Sequence, residues 1–412
     1  MRTLLSVNSY YYRRDGSEAV FFEHNRLFED AGWRVVPFAM QHPENQPSAW
    51  SGHFVSDIEF GHDYSLLQKL ARVPKVIYST EARDKLGRLL DEVRPEIAHL
   101  HTIYHHLSPS ILDALKQRGI PTLMTLHDLK IACPAYHMMT EGVPCERCRG
   151  GRLHNVVVHR CIKDSLALSL VVMAEAVVHA LRRSYDQGVD LFVAPSRFYI
   201  DKLEEWGWPR NRFVHVPNCV PVDGVVPAFE PGRDFLYFGR LAVEKGLITL
   251  VRAAARAGIR LRMAGQGPLR AALEQEAAAC GAQVEFLGQL PVDALRRVIA
   301  ASRVTVLASE CYENAPMSVL ESYSLGKPVI GSRIGGIPEI VRERETGWLF
   351  RTGSVDDLAE VLRAAADTAD EDIQSMGRAA RQLVETNYSS EIYRERTLAL
   401  YGQLRTGRGG HA

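Results

Sequence analysis

Short apolar runs alternate with longer amphipathic stretches along this chain, and the alternation occurs twice. The first series reads RTLLSVN, SEAVFFEHNRLFEDAG and WRVVPFAM, then EIAHLHT, SPSILDALKQRG and PTLMTLHD. The second opens at DFLYFGR, residues 234–240. It continues through GLITLVRAAARAG, IRLRMAG, GPLRAALEQEAAACG, QVEFLG, VDALRRVIAAS, VTVLASE, PMSVLESYSLG and KPVIGS. A helix between two strands returns the chain to the same end of a sheet, so successive strands lie parallel and helices cover both faces. The expected fold class is α/β, with two doubly wound, Rossmann-like domains facing a central cleft. A length of 412 residues suits two domains better than one core.

The break falls in PNCVPVDGVVPAFEPGR, residues 217–233, which is proline-rich and without helical period. Domains are therefore expected at 1–216 and 217–388. A last amphipathic helix, SSEIYRERTLALYGQL at 389–404, follows, with RTGRGGHA as a disordered tail. Residues 40–62 read as a long irregular insertion. LALSLVVMAEAVVHAL, residues 166–181, is short for a membrane span and carries Glu175 and His179, so it is expected to be a buried helix. The N-terminus, MRTLLSVNSYYYRRDG, lacks the apolar run of a signal peptide, which makes a cytoplasmic protein the expectation. Lysine plus arginine balance aspartate plus glutamate at 49 each, unlike the basic excess of a nucleic-acid-binding domain.

Ligands of doubly wound sheets bind beyond the carboxyl ends of the strands. Gly16 follows the first strand and precedes a helix, a turn that suits a phosphate or simply a tight entry. His127 and Asp128 end PTLMTLHD. The histidine can donate to a sugar hydroxyl or steady developing charge, with Asp128 orienting it or meeting an acceptor. A packed histidine beside a capping aspartate is the plain alternative. His99 and His101 alternate on one strand face, where packing is favoured over a metal pair. In the second series, Arg240 and Lys245 flank a loop and together suit a diphosphate. Gly265 in the AGQGP turn lets backbone approach a ring or phosphate. Asn314 is a candidate N-cap, with Ala315 the alternative by position, because Pro316 suits a first helical turn. Met317 and Ser318 would then offer free amides at a helix N-terminus. Glu313 precedes that helix and Glu321 lies within it, seven residues between them; carboxylates so placed can accept from adjacent hydroxyls of a sugar and a ribose.

The stretch CPAYHMMTEGVPCERC adds a different chemistry. Cys133, Cys145, Cys148 and Cys161 are separated by eleven, two and twelve residues. Reduced thiols gathered in this way fit a structural zinc site, with His159 as a substitute ligand; disulfides and free thiols are the alternatives. Arg147, Arg149, Arg152, Arg160 and Lys163 make the same segment basic, suited to an anionic lipid-linked acceptor or a membrane surface, or else a solvated loop.

GRLAVEKG, the AGQGP turn, ENAPMSVLE with SLGKPVIGSRIGGIPEIV, and ETGWLF stand in an order that resembles the retaining nucleotide-sugar glycosyltransferases of family 4, which have the GT-B fold. The resemblance implies roles. Glu313 and Glu321 match the EX7E pair, the first holding the transferred sugar and the second the donor ribose. Arg240 and Lys245 match the diphosphate-binding pair, and His127 a cleft histidine near the reacting sugar. Gly16 lies in the loop facing the phosphates, where Asp15 replaces a usual glycine and must turn away or meet Arg13 or Arg14. The N-terminal domain would be the acceptor side, with 133–161 as an insertion in it, and the last helix would return to pack on it. The family uses no metal in catalysis, so Asp370-Glu371-Asp372 is read as a solvated surface. The implied reaction moves a hexose from a nucleoside-diphosphate sugar to a hydroxyl of a glycan or lipid-linked acceptor, in polysaccharide or lipopolysaccharide synthesis. Partners would include no nucleic acid, and peripheral association with the inner face of the plasma membrane is one reading. A GT-B sugar-nucleotide epimerase and a zinc-containing nucleic-acid-binding protein are the alternatives.

Overall fold

The computed structural model describes residues 1–14, 16–57 and 74–407. In chain order the first half holds β1 (Thr3–Val7), β2 (Arg34–Phe38), β3 (Ile97–Leu100), β4 (Thr122–Thr125), the short strands β5 (Met139–Thr140) and β6 (Val143–Pro144), β7 (Leu191–Ala194) and β8 (Phe213–His215). Strands β5 and β6 pair only with each other; the remaining six form a sheet of order β2-β1-β3-β4-β7-β8. The second half holds β9 (Phe235–Phe238), β10 (Leu261–Ala264), β11 (Val284–Gly288), β12 (Val304–Leu307), β13 (Val329–Ser332) and β14 (Gly347–Phe350), in the order β11-β10-β9-β12-β13-β14. Every pairing in both large sheets is parallel. The winding reverses between β1 and β3 in one sheet and between β9 and β12 in the other. Loops leaving strands at those switch points diverge and open a crevice.

Strands β1, β3, β4, β9 and β12 are buried along their whole length, as sheets covered on both faces require. Helix Gly16–Asp30 buries Val20, Phe21, His24, Leu27 and Phe28, a stripe at helical spacing. The last helix, Ser390–Gly407, runs past the expected end at Leu404 and packs back on the first sheet, where Tyr393, Leu400 and Tyr401 join Leu4, Phe28 and Trp33. Burial of each such side chain contributes about 1.5–3 kcal/mol.

Helix Leu166–Leu181 departs from expectation. Its inward face carries Ser169, Val172, Glu175 and His179, while Leu166, Leu170, Val177 and Leu181 face solvent. The inward polar groups are satisfied: Lys130 Nζ lies 2.8 Å from Glu175, and His179 Nε2 lies 2.7 Å from the Ile77 carbonyl. A paired buried carboxylate, rather than an apolar stripe, therefore fixes which side of this helix is inside. Within the expected insertion, Met40 and Val55 form a parallel bridge and Ser51–His53 a single 3-10 turn. Residues 58–62 of that stretch, and 408–412 of the expected tail, lie outside the described residues. Among the described residues, no helix is long and apolar enough to cross a membrane.

Candidate active site

The loop after β9 turns through a 3-10 segment, Val243–Lys245, and the loop after β12 carries Glu313 beside it. Lys245 Nζ meets Glu313 Oε1 at 2.6 Å, and Ser309 Oγ donates to the same oxygen at 2.5 Å. Burial alone would raise the Glu313 pKa, but the Lys245 ammonium and these hydrogen bonds hold it below the usual carboxylate range. Arg240 is paired with Glu244 and stands half-exposed at the rim. The two cations expected to act together are thus each held by a carboxylate. Behind Glu313, the Gly336 amide donates to its carbonyl at 2.8 Å. A Cβ on Gly336 would lie 1.9 Å from the Asn314 carbonyl oxygen, so only glycine fits the approach. Gly265, at φ +140°, is likewise pressed on the Gly239 carbonyl, which sets the AGQGP turn against the Arg240 loop.

Helix Met317–Ser324 is capped by Pro316, at φ −65° and ψ 122°, and not by Asn314 or Ala315. The Asn314 side chain does other work. Its Nδ2 donates to the Leu126 carbonyl at 2.8 Å, and its Oδ1 accepts from Ser196 Oγ at 2.8 Å, so it joins the two sheets' loops. Met317 and Ser318 head the helix, where amides lack intrahelical partners. Gly16 sits against this turn: a Cβ there would be 3.4 Å from Met317 Cγ. Asp15, whose direction the sequence left in question, lies outside the described residues.

His127 leaves the end of β4 and its Nε2 lies 2.9 Å from His101 Nδ1. Asp128 does not orient it. That carboxylate accepts from the Lys130 amide at 2.9 Å, in a turn of its own, and burial pushes its pKa up to about 6. Behind His101, His99 is stacked on it, and His24 meets both edge-on. Ligand atoms of His24, His99 and His101 come within 4.8 Å of one another. Both nitrogens of His99 are taken by Tyr401 Oη and Thr125 Oγ1, at 2.7 Å each. Those of His24 are taken by Tyr393 Oη at 2.9 Å and Tyr401 Oη at 3.2 Å. Tyr401 thus links His24 and His99 by hydrogen bonds, as packing at a strand end predicts, whereas His101 meets them through ring contacts only and its Nε2 is a buried nitrogen lacking a partner. Burial drives the His127 pKa down to about 4 and that of His24 to about 3, so both rings are neutral near pH 7.

Glu321 stands half-buried within helix Met317–Ser324. Burial raises its pKa to about 7, with Arg296 the one opposing charge, and its carboxylate takes no protein hydrogen bond among the described residues. The four cysteines of the insertion, all free, converge with His159 on one cavity of about 10 Å³. Asp370, by contrast, heads helix Asp370–Asn387 and pairs with Arg303 at 2.7 Å, an acidic first turn with an evident structural role.

Sequence reading missed several bridging residues. Glu339, from the GGIPE loop, accepts from the amides of Arg197 and Phe198 at 2.9 and 2.6 Å, so one half of the chain caps a helix of the other. Glu146, inside the Cys145–Cys148 pair, accepts from Tyr312 Oη at 3.0 Å and Lys202 Nζ at 2.8 Å. A carboxylate beside a glycine-rich turn was the available signal for Glu339; Glu146 had none, because its partners are remote in sequence.

Known proteins match this arrangement. The Glycosyltransferase Family 4 model matches residues 14–223, and the Glycosyl transferases group 1 model matches residues 224–383. Sulfoquinovosyl transferase SQD2 of Arabidopsis thaliana is 35% identical over 161 residues, 38% of this chain and 31% of that protein. The chain spans less than two thirds of the length of the curated relatives it matches. The structure of sucrose-phosphate synthase from Thermosynechococcus elongatus superposes with a TM-score of 0.73 at 20% identity, covering 99% of this chain and 100% of that one. Anabaena Alr3699/HepE in complex with UDP and glucose gives 0.69 at 14% identity, covering 98% and 100%. Two doubly wound sheets, the crevice at their switch points and a family model spanning half the chain lead to one conclusion: this chain has the GT-B fold and belongs to glycosyltransferase family 4.

Proposed function

We propose that the chain transfers a hexose from a nucleoside-diphosphate sugar to a hydroxyl of a glycan or lipid-linked acceptor, with retention at the anomeric carbon. The observation that carries this reading is the partly buried Lys245–Glu313 pair beside the N-terminus of helix Met317–Ser324, with Gly16 against the same turn. Departure of the nucleoside diphosphate builds negative charge, and Arg240, Lys245 and the Met317 and Ser318 amides answer it without a catalytic metal. Glu313, kept ionised, accepts from hydroxyls of the transferred sugar, and Glu321 accepts from the ribose. His127, neutral, donates to the sugar from the opposite wall. The leaving phosphate takes the acceptor proton as the new bond forms on the face it vacates.

The acceptor side meets the inner face of a membrane in this reading. Leu166, Leu170, Val177 and Leu181 form an apolar face on helix Leu166–Leu181, with Arg182 and Arg183, paired with Asp113 and Asp186, at its end and Lys163 before it. Apolar side chains with flanking cations suit the headgroup boundary of anionic lipid.

The test is a thermal-shift screen of UDP-, GDP-, ADP- and TDP-sugars on the full chain. One nucleotide series is expected to raise the melting temperature, and Glu321→Ala to abolish the rise. Nuclear magnetic resonance of the product, made with an acceptor panel, should give the donor's own anomeric configuration. An inverted product, or an unaltered shift in Glu321→Ala, rejects the assignment.

A further inference from the structure

We infer that Cys133, Cys145, Cys148 and Cys161 form a structural zinc site that clamps the segment after β4 against the cleft. The four residues come from separate local pieces. Cys133 ends the turn after Leu129, whose carbonyl accepts from its amide at 2.8 Å. Cys145 follows the β5–β6 hairpin, with Cys148 next on the same knuckle, and Cys161 lies beyond the short helix Asn155–Val158. The fold nevertheless brings all four to one cavity of about 10 Å³. That is about the room of a single water-sized sphere, too little for a side chain and enough for an ion. One polar contact to these sulfurs is direct: Thr140 Oγ1, from the β5 strand, lies 3.7 Å from Cys161 Sγ.

The surrounding backbone needs such a clamp. Tyr136, Met138, Glu141, Arg160, Lys163 and Asp164 all hold positive φ without being glycine. Such conformations cost about 1–3 kcal/mol each and persist only where neighbouring structure over-determines them. Regular structure here amounts to two two-residue strands, a 3-10 turn and a four-residue helix. No disulfide links the cysteines. Among the described residues, only the His24, His99 and His101 group has ligand atoms within 4.8 Å of one another, so the thiols stand around their cavity at wider spacing. Coordination at a Zn–S distance of about 2.3 Å would draw them inward and release their protons to solvent.

The clamp has a consequence at the cleft. Glu146 lies between two of the ligands and holds Tyr312, the residue before Glu313, and Lys202. Fixing the knuckle therefore fixes a contact on the Glu313 loop. The metal site stands on the thiols alone and does not depend on the glycosyl-transfer reading, so either can fail without the other.

The experiment is elemental analysis of the full chain purified under reductant. Stoichiometric zinc is expected, lost in Cys133→Ser and Cys148→Ser and retained in Cys280→Ser, a cysteine remote from the cavity. Because the ligand variants can misfold, wild-type protein stripped by chelator is also titrated with Co(II). A thiolate-to-cobalt charge-transfer band with tetrahedral d–d absorption is expected, displaced by added zinc. Absence of zinc together with no such cobalt spectrum overturns the proposal, as do disulfides among these four cysteines in native protein by mass spectrometry.

Discussion

Glu313, on the loop before helix Met317–Ser324, and Glu321, within it, belong to the same motif, yet their surroundings differ. Glu313 has Lys245 and Ser309; Glu321 has burial and a single distant cation. A carboxyl whose pKa rises on folding keeps a proton that the unfolded chain has released. Its contribution to stability is therefore full below its ordinary value of 4.5 and is lost as pH rises through about 7. Glu321→Gln should stabilise the ligand-free protein at pH 8 by about 1–3 kcal/mol and leave it nearly unchanged at pH 5. Urea unfolding at the two pH values checks this. The same substitution should weaken binding of the nucleotide donor, and donor affinity of the unaltered protein should fall as pH drops below about 7, because the carboxylate loses its charge. A variant destabilised at pH 8 would mean that the carboxylate already has a partner in the protein.

At the scale of elements, the alternation of strands and helices was legible because parallel strands buried on both faces read as continuous apolar runs. Strands β7 and β8 were passed over: each is short, and neither shows a period of its own. Glu313, Lys245 and Gly16 are brought together as loops at switch points must be. The cap at Pro316 was misread because Asn314 has a better use, a carboxamide answering a carbonyl and a hydroxyl from the other half of the chain. Such pairings have no local signature. Helix Leu166–Leu181 has the bounds its sequence suggests, but the side that is buried was not legible for a related reason: its inward face is fixed by Lys130 and Glu175, 45 residues apart. Its outward leucines carry a prediction. The Leu166→Glu, Leu170→Glu, Leu181→Glu triple variant should keep its melting temperature, since Leu166 and Leu181 are 50% and 80% exposed. It should bind vesicles containing anionic lipid about tenfold more weakly or worse, measured by co-sedimentation. Equal binding by the two proteins would leave this face without a membrane role.

The whole molecule is tied by its last helix. Ser390 Oγ donates to Glu23 at 2.6 Å, Arg405 pairs with Glu96 at 2.8 Å, and the hydroxyls of Tyr393 and Tyr401 reach the histidine cluster. Tyr401 is the hub. Its ring is packed among Phe28, Trp33 and Leu4, and its oxygen serves both His99 Nδ1 and His24 Nε2. Beyond these hydrogen bonds, His99 stacks on His101, and His101 bonds His127, so residues near the C-terminus pack behind the wall of the cleft. Tyr401→Phe retains the packing and removes the hydroxyl, leaving two buried imidazole nitrogens without a partner. An unsatisfied buried polar group costs about 1–3 kcal/mol, so the variant should lose about 2–4 kcal/mol in urea unfolding. Because Phe fills the same space, a cavity cannot explain the loss. Through the stacked His99 and His101 the loss should also loosen His127, so turnover should fall while donor affinity, which the proposed function assigns to Glu321, Lys245 and the Met317 turn, holds. Loss of stability with unchanged turnover would confine the C-terminal helix to a role in folding. Loss of both, with the donor thermal shift intact, would establish that the helix positions His127 through His99 and His101.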